Sequence, residues 1–135
     1  MYVHTPVPQA TVDQLGAICF DLPEVYEESA WVGWRWMVRK KNFAHVLMIA
    51  KGYPPTYARV AKVAKADAPI CVLTFRTPNA ADNISKYSKP PYFLPSWWPN
   101  IVGIVINEQT NWPLIAENIN NSYRTLAPQK LIALM

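Results

Sequence analysis

Thirteen prolines, spread from Pro6 to Pro128, decide how far any helix or strand of this chain can run. Proline fixes its own φ, offers no N–H, and pushes the residue before it away from helical geometry. Pro23, Pro69, Pro78, Pro90, Pro91 and Pro128 stand at the ends of segments with coherent hydrophobic periodicity, so they act as punctuation and not as a low-complexity tract. With only 4 glycines among 135 residues, the chain also has little material for a phosphate-cradling loop.

Between the prolines there is ample material for a core. Hydrophobic residues make up 51% of the chain and charged residues 16%, which excludes disorder and suits one domain with one core. Residues 1–9, with Pro6 and Pro8, read as an extended lead-in, and residues 10–135 as the single domain. No apolar run approaches the roughly 18 residues of a membrane span, so no membrane partner is expected. Met1 to Gln9 has neither the basic nor the apolar region of a secretory signal, and the expected location is cytoplasmic. Cys19 and Cys71 lack CxxC spacing and read as buried thiols.

The charge falls into blocks. Met1 to Trp34 carries five acids and no Lys or Arg (−5), Arg35 to Lys89 carries eleven bases against two acids (+9), and the remainder is neutral, giving a net charge of +4. A basic middle suggests an anionic partner, nucleic acid before membrane. A lysine-rich solvated surface is the competing reading.

Val12, Leu15, Ile18, Cys19 and Leu22 recur at helical intervals after a capping-box spacing at Thr11 and Gln14, and Pro23 ends this helix near Asp21. Glu24 to Ser29 reads as an acidic connection. From Trp31 the period becomes two, with Val32, Trp34, Trp36 and Val38 on one face and Gly33, Arg35, Met37 and Arg39 on the other. The run Phe43 to Ala50 follows a cationic tip, Arg39-Lys40-Lys41-Asn42, and completes a hairpin. Ala58 to Ala66 suits a short helix exposing Arg59, Lys62 and Lys65. Ile70 to Arg76 is a strand, and Thr77-Pro78 opens a helix with Ala81, Ile84 and Tyr87 on one side. Tyr92 to Leu94 is a short strand or link, and Ile101 to Asn107 is the clearest central strand. Asn111 caps a final helix with Leu114, Ile115, Ile119, Tyr123 and Leu126 as its apolar positions, closed by Pro128. The order predicts an α+β fold with an antiparallel sheet flanked by helices.

Ser122-Tyr123-Arg124-Thr125-Leu126-Ala127-Pro128-Gln129-Lys130-Leu131 resembles the C-terminal signature of the MmcQ/YjbR-like proteins. Leu22-Pro23-Glu24-Val25 with Glu27-Glu28 resembles that family's exit from its first helix, and Trp36 through Lys41-Asn42-Phe43-Ala44 its first hairpin. Gly103 within Ile101 to Ile106, followed by Asn111-Trp112, stands where the family has its last strand and helix start. The likeness runs in one order from about residue 10 to residue 132. Where the family turns its hairpin through glycines, this chain has Arg39-Lys40, which moves charge to the tip. The resemblance implies a frataxin-like (CyaY-like) architecture, a "double wing" DNA-binding label and no enzymatic activity.

Arg35, Arg39, Lys40 and Lys41 at the hairpin, with Arg59, Lys62 and Lys65 on the insert, are the candidate phosphate contacts with DNA. The alternative is a protein- or small-ligand-interaction module built on an aromatic corner of Tyr92, Trp97, Trp98 and Trp112, with core plugging as the bland explanation of those rings. No protein partner is identified. No cofactor is expected: there is no HExxH, GxSxG or clustered ligand set, and Asp13, Asp21, Glu24, Glu27 and Glu28 read as a solvated acidic face before a weak metal site. His45, sharing a strand face with Phe43 and Leu47, reads as a packed residue before a general base.

Overall fold

A computed structural model describes residues 5–50, 53–55, 69–78, 80–95 and 100–135. Pro8, held extended, caps the first helix, α1 (Gln9–Cys19), and its carbonyl accepts from Thr11 and Val12. The helix therefore starts ahead of the expected capping box at Thr11, because a residue before the first turn is already fixed by proline. It stops at Cys19, two residues before the expected end, with Phe20 to Leu22 continuing as a turn into Pro23.

Six strands follow among the described residues: β1 (Tyr26–Ser29), β2 (Trp34–Val38), β3 (Lys41–Ile49), β4 (Ile70–Arg76), β5 (Tyr92–Phe93) and β6 (Ile101–Ile106). They form one antiparallel sheet in the order β1-β2-β3-β4-β6-β5. β1 corrects the reading of Glu24 to Ser29 as a connection. Its period is hidden because Glu27 and Glu28 point to opposite faces, as charged residues do on an edge strand.

β2 and β3 make the expected hairpin. Its two-residue turn, Arg39-Lys40, has φ of 49° and 65°, the left-handed pair whose twist matches the flanking strands. The strand begins at Trp34, not Trp31. Gly33 takes φ 75°, and a Cβ there would stand 1.8 Å from the Val46 carbonyl oxygen, so the alternation breaks at this residue. Trp36 and Val38 consequently face the helices, while Val32 joins a different cluster on the other side.

A second break lies in β3. Trp36 pairs with Ala44 but Met37 with Asn42, which leaves Phe43 as an extra residue. A bulge of this kind turns two successive side chains to one side. Phe43 and Ala44 both enter the helix-side core, where Phe43 meets Tyr123 edge-on at 5.5 Å. His45 thus shares its face with Leu47 and not with Phe43.

After β4 a 3-10 turn (Ala81–Asn83) leads into α2 (Ile84–Tyr87), so the helix expected at Thr77-Pro78 starts later and lasts one turn. Such a short helix builds no apolar stripe: Tyr87 is buried but Ala81 and Ile84 are exposed. The final long helix, α3 (Trp112–Leu126), is as expected, with Asn111 Oδ1 accepting from the Leu114 amide at 3.1 Å and Ile115, Ile119 and Tyr123 buried. Pro128 separates it from α4 (Gln129–Ile132), which buries Leu131. Buried residues of all four helices join one cluster with Trp36, Val46, Leu73 and Ile104, so the described helices pack on one face of the sheet.

Candidate nucleic-acid interface

The β2–β3 turn projects from the edge-strand end of the sheet with Arg39, Lys40 and Lys41 all exposed. Their electrostatic situations differ. Arg39 donates from Nε and Nη2 to the Glu24 carboxylate at 3.0 and 3.2 Å. These hydrogen bonds hold the Glu24 carboxyl below the usual carboxylate range and raise the Arg39 guanidinium further. Glu24 is itself held at φ 59° in the corner after Pro23. That corner is tied down by the Tyr123 hydroxyl, which donates to the Pro23 carbonyl at 2.8 Å.

Arg35 turns towards the edge strand and pairs with Glu28, its Nε donating to Oε1 at 2.6 Å. It therefore does not extend the patch at the tip. Lys40 and Lys41 have no ion-pair partner among the described residues. Arg59, Lys62 and Lys65 lie outside the described residues. Of the four described candidates, two are neutralised locally and two, adjacent in the chain, present free ammonium groups.

The pairing of acids with bases is what the sequence blocks conceal. Glu24, Glu27 and Glu28 each take a donor from the β2–β3 hairpin: Arg39, the Trp36 indole N–H at 2.9 Å, and Arg35. A signal for this exists in the sequence. Glu24 and Glu28 are four residues apart, as are Arg35 and Arg39, and the two pairs mirror each other about the turn between β1 and β2. The remaining acids of this block, Asp13 and Asp21, stay exposed, and no three metal-ligating side chains converge among the described residues.

The aromatic corner is only partly described. Tyr92 meets Tyr87 edge-on at 5.1 Å, and its hydroxyl accepts from Asn118 Nδ2 at 3.2 Å. Trp112 is half-buried against the main core. Trp97 and Trp98 lie outside the described residues. A cavity of about 340 Å³ lies beside this corner, but Pro91, Ile104, Thr110 and Leu114 line it rather than Tyr92 or Trp112. An exposed ring does occur elsewhere: Trp31, 73% accessible, stands edge-on to Tyr53 at 6.0 Å. The loss of alternation at Gly33 puts it in a loop and not in the strand.

The two cysteines are free and buried, and burial pushes the Cys71 thiol up to about 12 and the Cys19 thiol higher still. Neither is a thiolate at neutral pH. His45 sits part-buried with Nε2 2.6 Å from the Val32 carbonyl oxygen, and burial lowers its affinity for a proton.

The fold has a solved counterpart. The chain is similar to the crystal structure of a Pseudomonas syringae protein from a structural-genomics consortium, with a TM-score of 0.63 over 88% of this chain and 97% of that one. At 13% identity the likeness establishes the architecture alone. No family model and no curated protein matches the sequence. No helix among the described residues is long and apolar enough to cross a membrane.

Proposed function

We propose that this chain is a non-enzymatic, MmcQ/YjbR-like domain of CyaY-like architecture that binds DNA through the phosphate backbone. The observation that carries this reading is the β2–β3 turn, where Lys40 and Lys41 stand exposed with no carboxylate beside them among the described residues. The matching order of sequence motifs from the first helix exit to Ser122-Tyr123-Arg124 supports the family assignment, and the antiparallel α+β sheet is compatible with it. A cytoplasmic location belongs to the same reading, in keeping with two free buried thiols.

Ammonium groups at a turn position a duplex without reading its bases, so binding is weak, indifferent to sequence and steep in salt. Fluorescence anisotropy of a labelled duplex across a salt series tests this. With two lysines engaged, Lys40→Glu/Lys41→Glu lowers the slope of log affinity against log salt by about 2. No complex with any duplex at low salt, or an unchanged slope in the double variant, would overturn the proposal.

A further inference from the structure

β6 has a partner strand on each side, and the two partners are unequal. The Thr77 amide donates to the Asn100 carbonyl at 2.9 Å, and antiparallel register then points the backbone groups of Val102, Ile104 and Ile106 at β4. Those of Gly103 and Val105 point the other way, towards β5. The Val105 amide accordingly donates to the Pro91 carbonyl at 2.9 Å. Proline has no N–H to return. The Val105 carbonyl is therefore left without a donor in the sheet, and no other donor reaches it among the described residues.

That edge borders the cavity of about 340 Å³, which both Pro91 and Val105 line. Val105 sends its side chain to the far face of the sheet, turned away from the helices. Ile104 faces the helices and the half-buried Leu114 lies in the first turn of α3, so apolar side chains supply the walls. None of the lining residues is charged. The rim is polar but neutral. Asn111 commits Oδ1 to the Leu114 amide, and the Thr110 hydroxyl oxygen accepts from the Asn107 amide at 2.8 Å. Both side chains can still give or take a hydrogen bond, so they do not choose between ligands. The Val105 carbonyl does choose, because it only accepts.

We propose that this cavity binds a small neutral molecule, apolar over most of its surface and carrying one N–H or O–H, of the indole or phenol class. The unpaired acceptor calls for a donor, which completes the hydrogen bond that Pro91 cannot supply. The uncharged lining calls for a neutral molecule, since an ion would shed hydration with no opposite charge to replace it. The volume corresponds to about eleven liquid waters, room for a body of about ten non-hydrogen atoms between Ile104 and Leu114. The site is independent of the nucleic-acid reading. It lies at the β5 edge, at the end of the sheet away from the β2–β3 turn.

Indole is the probe, titrated into the full chain and followed by NMR at the Leu114 methyl groups and the Val105 carbonyl carbon. Saturable shifts at both are expected, with a dissociation constant in roughly the millimolar range. Benzofuran keeps the two-ring shape but has an ether oxygen in place of the N–H. It binds about fivefold or more weakly, although it is the less polar of the two. Leu114→Trp, which fills the cavity from a half-buried position, weakens indole binding about tenfold or more. Lys40→Glu/Lys41→Glu leaves it unchanged. Shifts that stay linear to about 10 mM overturn the proposal. So does benzofuran binding as tightly as indole, full affinity in Leu114→Trp, or a loss in the lysine variant. Should Leu114→Trp fail to fold, the benzofuran comparison, made on the unaltered chain, still decides the matter.

Discussion

Ser122 is the residue on which most of the tertiary arrangement converges. Its hydroxyl donates to the Phe43 carbonyl at 2.6 Å and accepts from the Arg76 amide at 2.8 Å, so one oxygen joins α3 to the ends of β3 and β4. The bulge at Phe43 disturbs the ladder there, and Ser122 satisfies backbone groups that the disturbed ladder leaves open. Ser122→Ala strands both partners and is expected to cost about 2–3 kcal/mol in urea unfolding. Tyr123 acts similarly at longer range through Pro23. Together they give a physical reason for a Ser-Tyr pair late in α3, which the sequence shows only as a motif.

His45 carries a pH dependence with a definite sign. Its folded-state proton affinity lies below the ordinary imidazole value near 6.5, first because of burial, with Arg35 adding repulsion across the strand pair and the Val32 carbonyl opposing both. Glu28, beyond Arg35, neutralises that guanidinium. As pH falls past the ordinary value the unfolded chain takes up this proton first, so the contribution present above it is lost below it. Chemical denaturation at about pH 7.5 and about pH 5 is expected to show a larger loss in the native protein than in His45→Gln. An equal loss in both would place the acid sensitivity elsewhere.

At the scale of elements, the hairpin sets the proposed phosphate contacts against stability. Left-handed φ at two successive non-glycine residues is unfavourable, and a turn of this type normally uses Asn-Gly. Lys40→Gly is expected to raise stability by about 1 kcal/mol in urea unfolding while weakening duplex binding and reducing its salt slope. A variant less stable than the parent would show that the turn is held by something other than backbone preference. β5 and β6 make the opposite point about glycine. The Phe93 ring lies over Gly103, and a Cβ on that residue would come within 2.1 Å of it, so the close approach of the ring requires the missing side chain. Period-two alternation found β2, uninterrupted apolar runs found β3, β4 and β6, and helical spacing with a capping Asn found α3. Alternation could not find β1, because an edge strand carrying Glu27 and Glu28 has no apolar face to reveal it.

For the whole molecule the question is how the charge is distributed in space. The −5 and +9 blocks are separate in sequence, yet β1 lies directly beside β2, so the acids before Trp34 neutralise bases after it. Removing that neutralisation has a predictable effect. Glu24→Gln leaves Arg39 without its carboxylate, and anisotropy titration is expected to show tighter duplex binding with a salt slope steeper by up to about 1. Unchanged affinity would mean that the turn is not where the duplex sits. The variant is exposed, so folding does not confuse the result.

Taken alone, the sequence determined the things that depend on neighbours along the chain. Proline positions cut it into short elements, hydrophobic period distinguished strand from helix, and Asn111 marked the start of α3. The cationic residues at the β2–β3 turn were legible for the same reason, because a hairpin tip is a local feature. Tertiary structure decided everything that depends on register. It made Glu24 to Ser29 into a corner and an edge strand, paired Glu24 with Arg39 and Glu28 with Arg35, and turned Phe43 inwards while leaving His45 on the far face. A single bulge or left-handed glycine moves every later side chain to the other face. Their effect on which residues meet depends on the partner strand, and that is why the cavity beside β6 becomes visible only once the sheet is assembled.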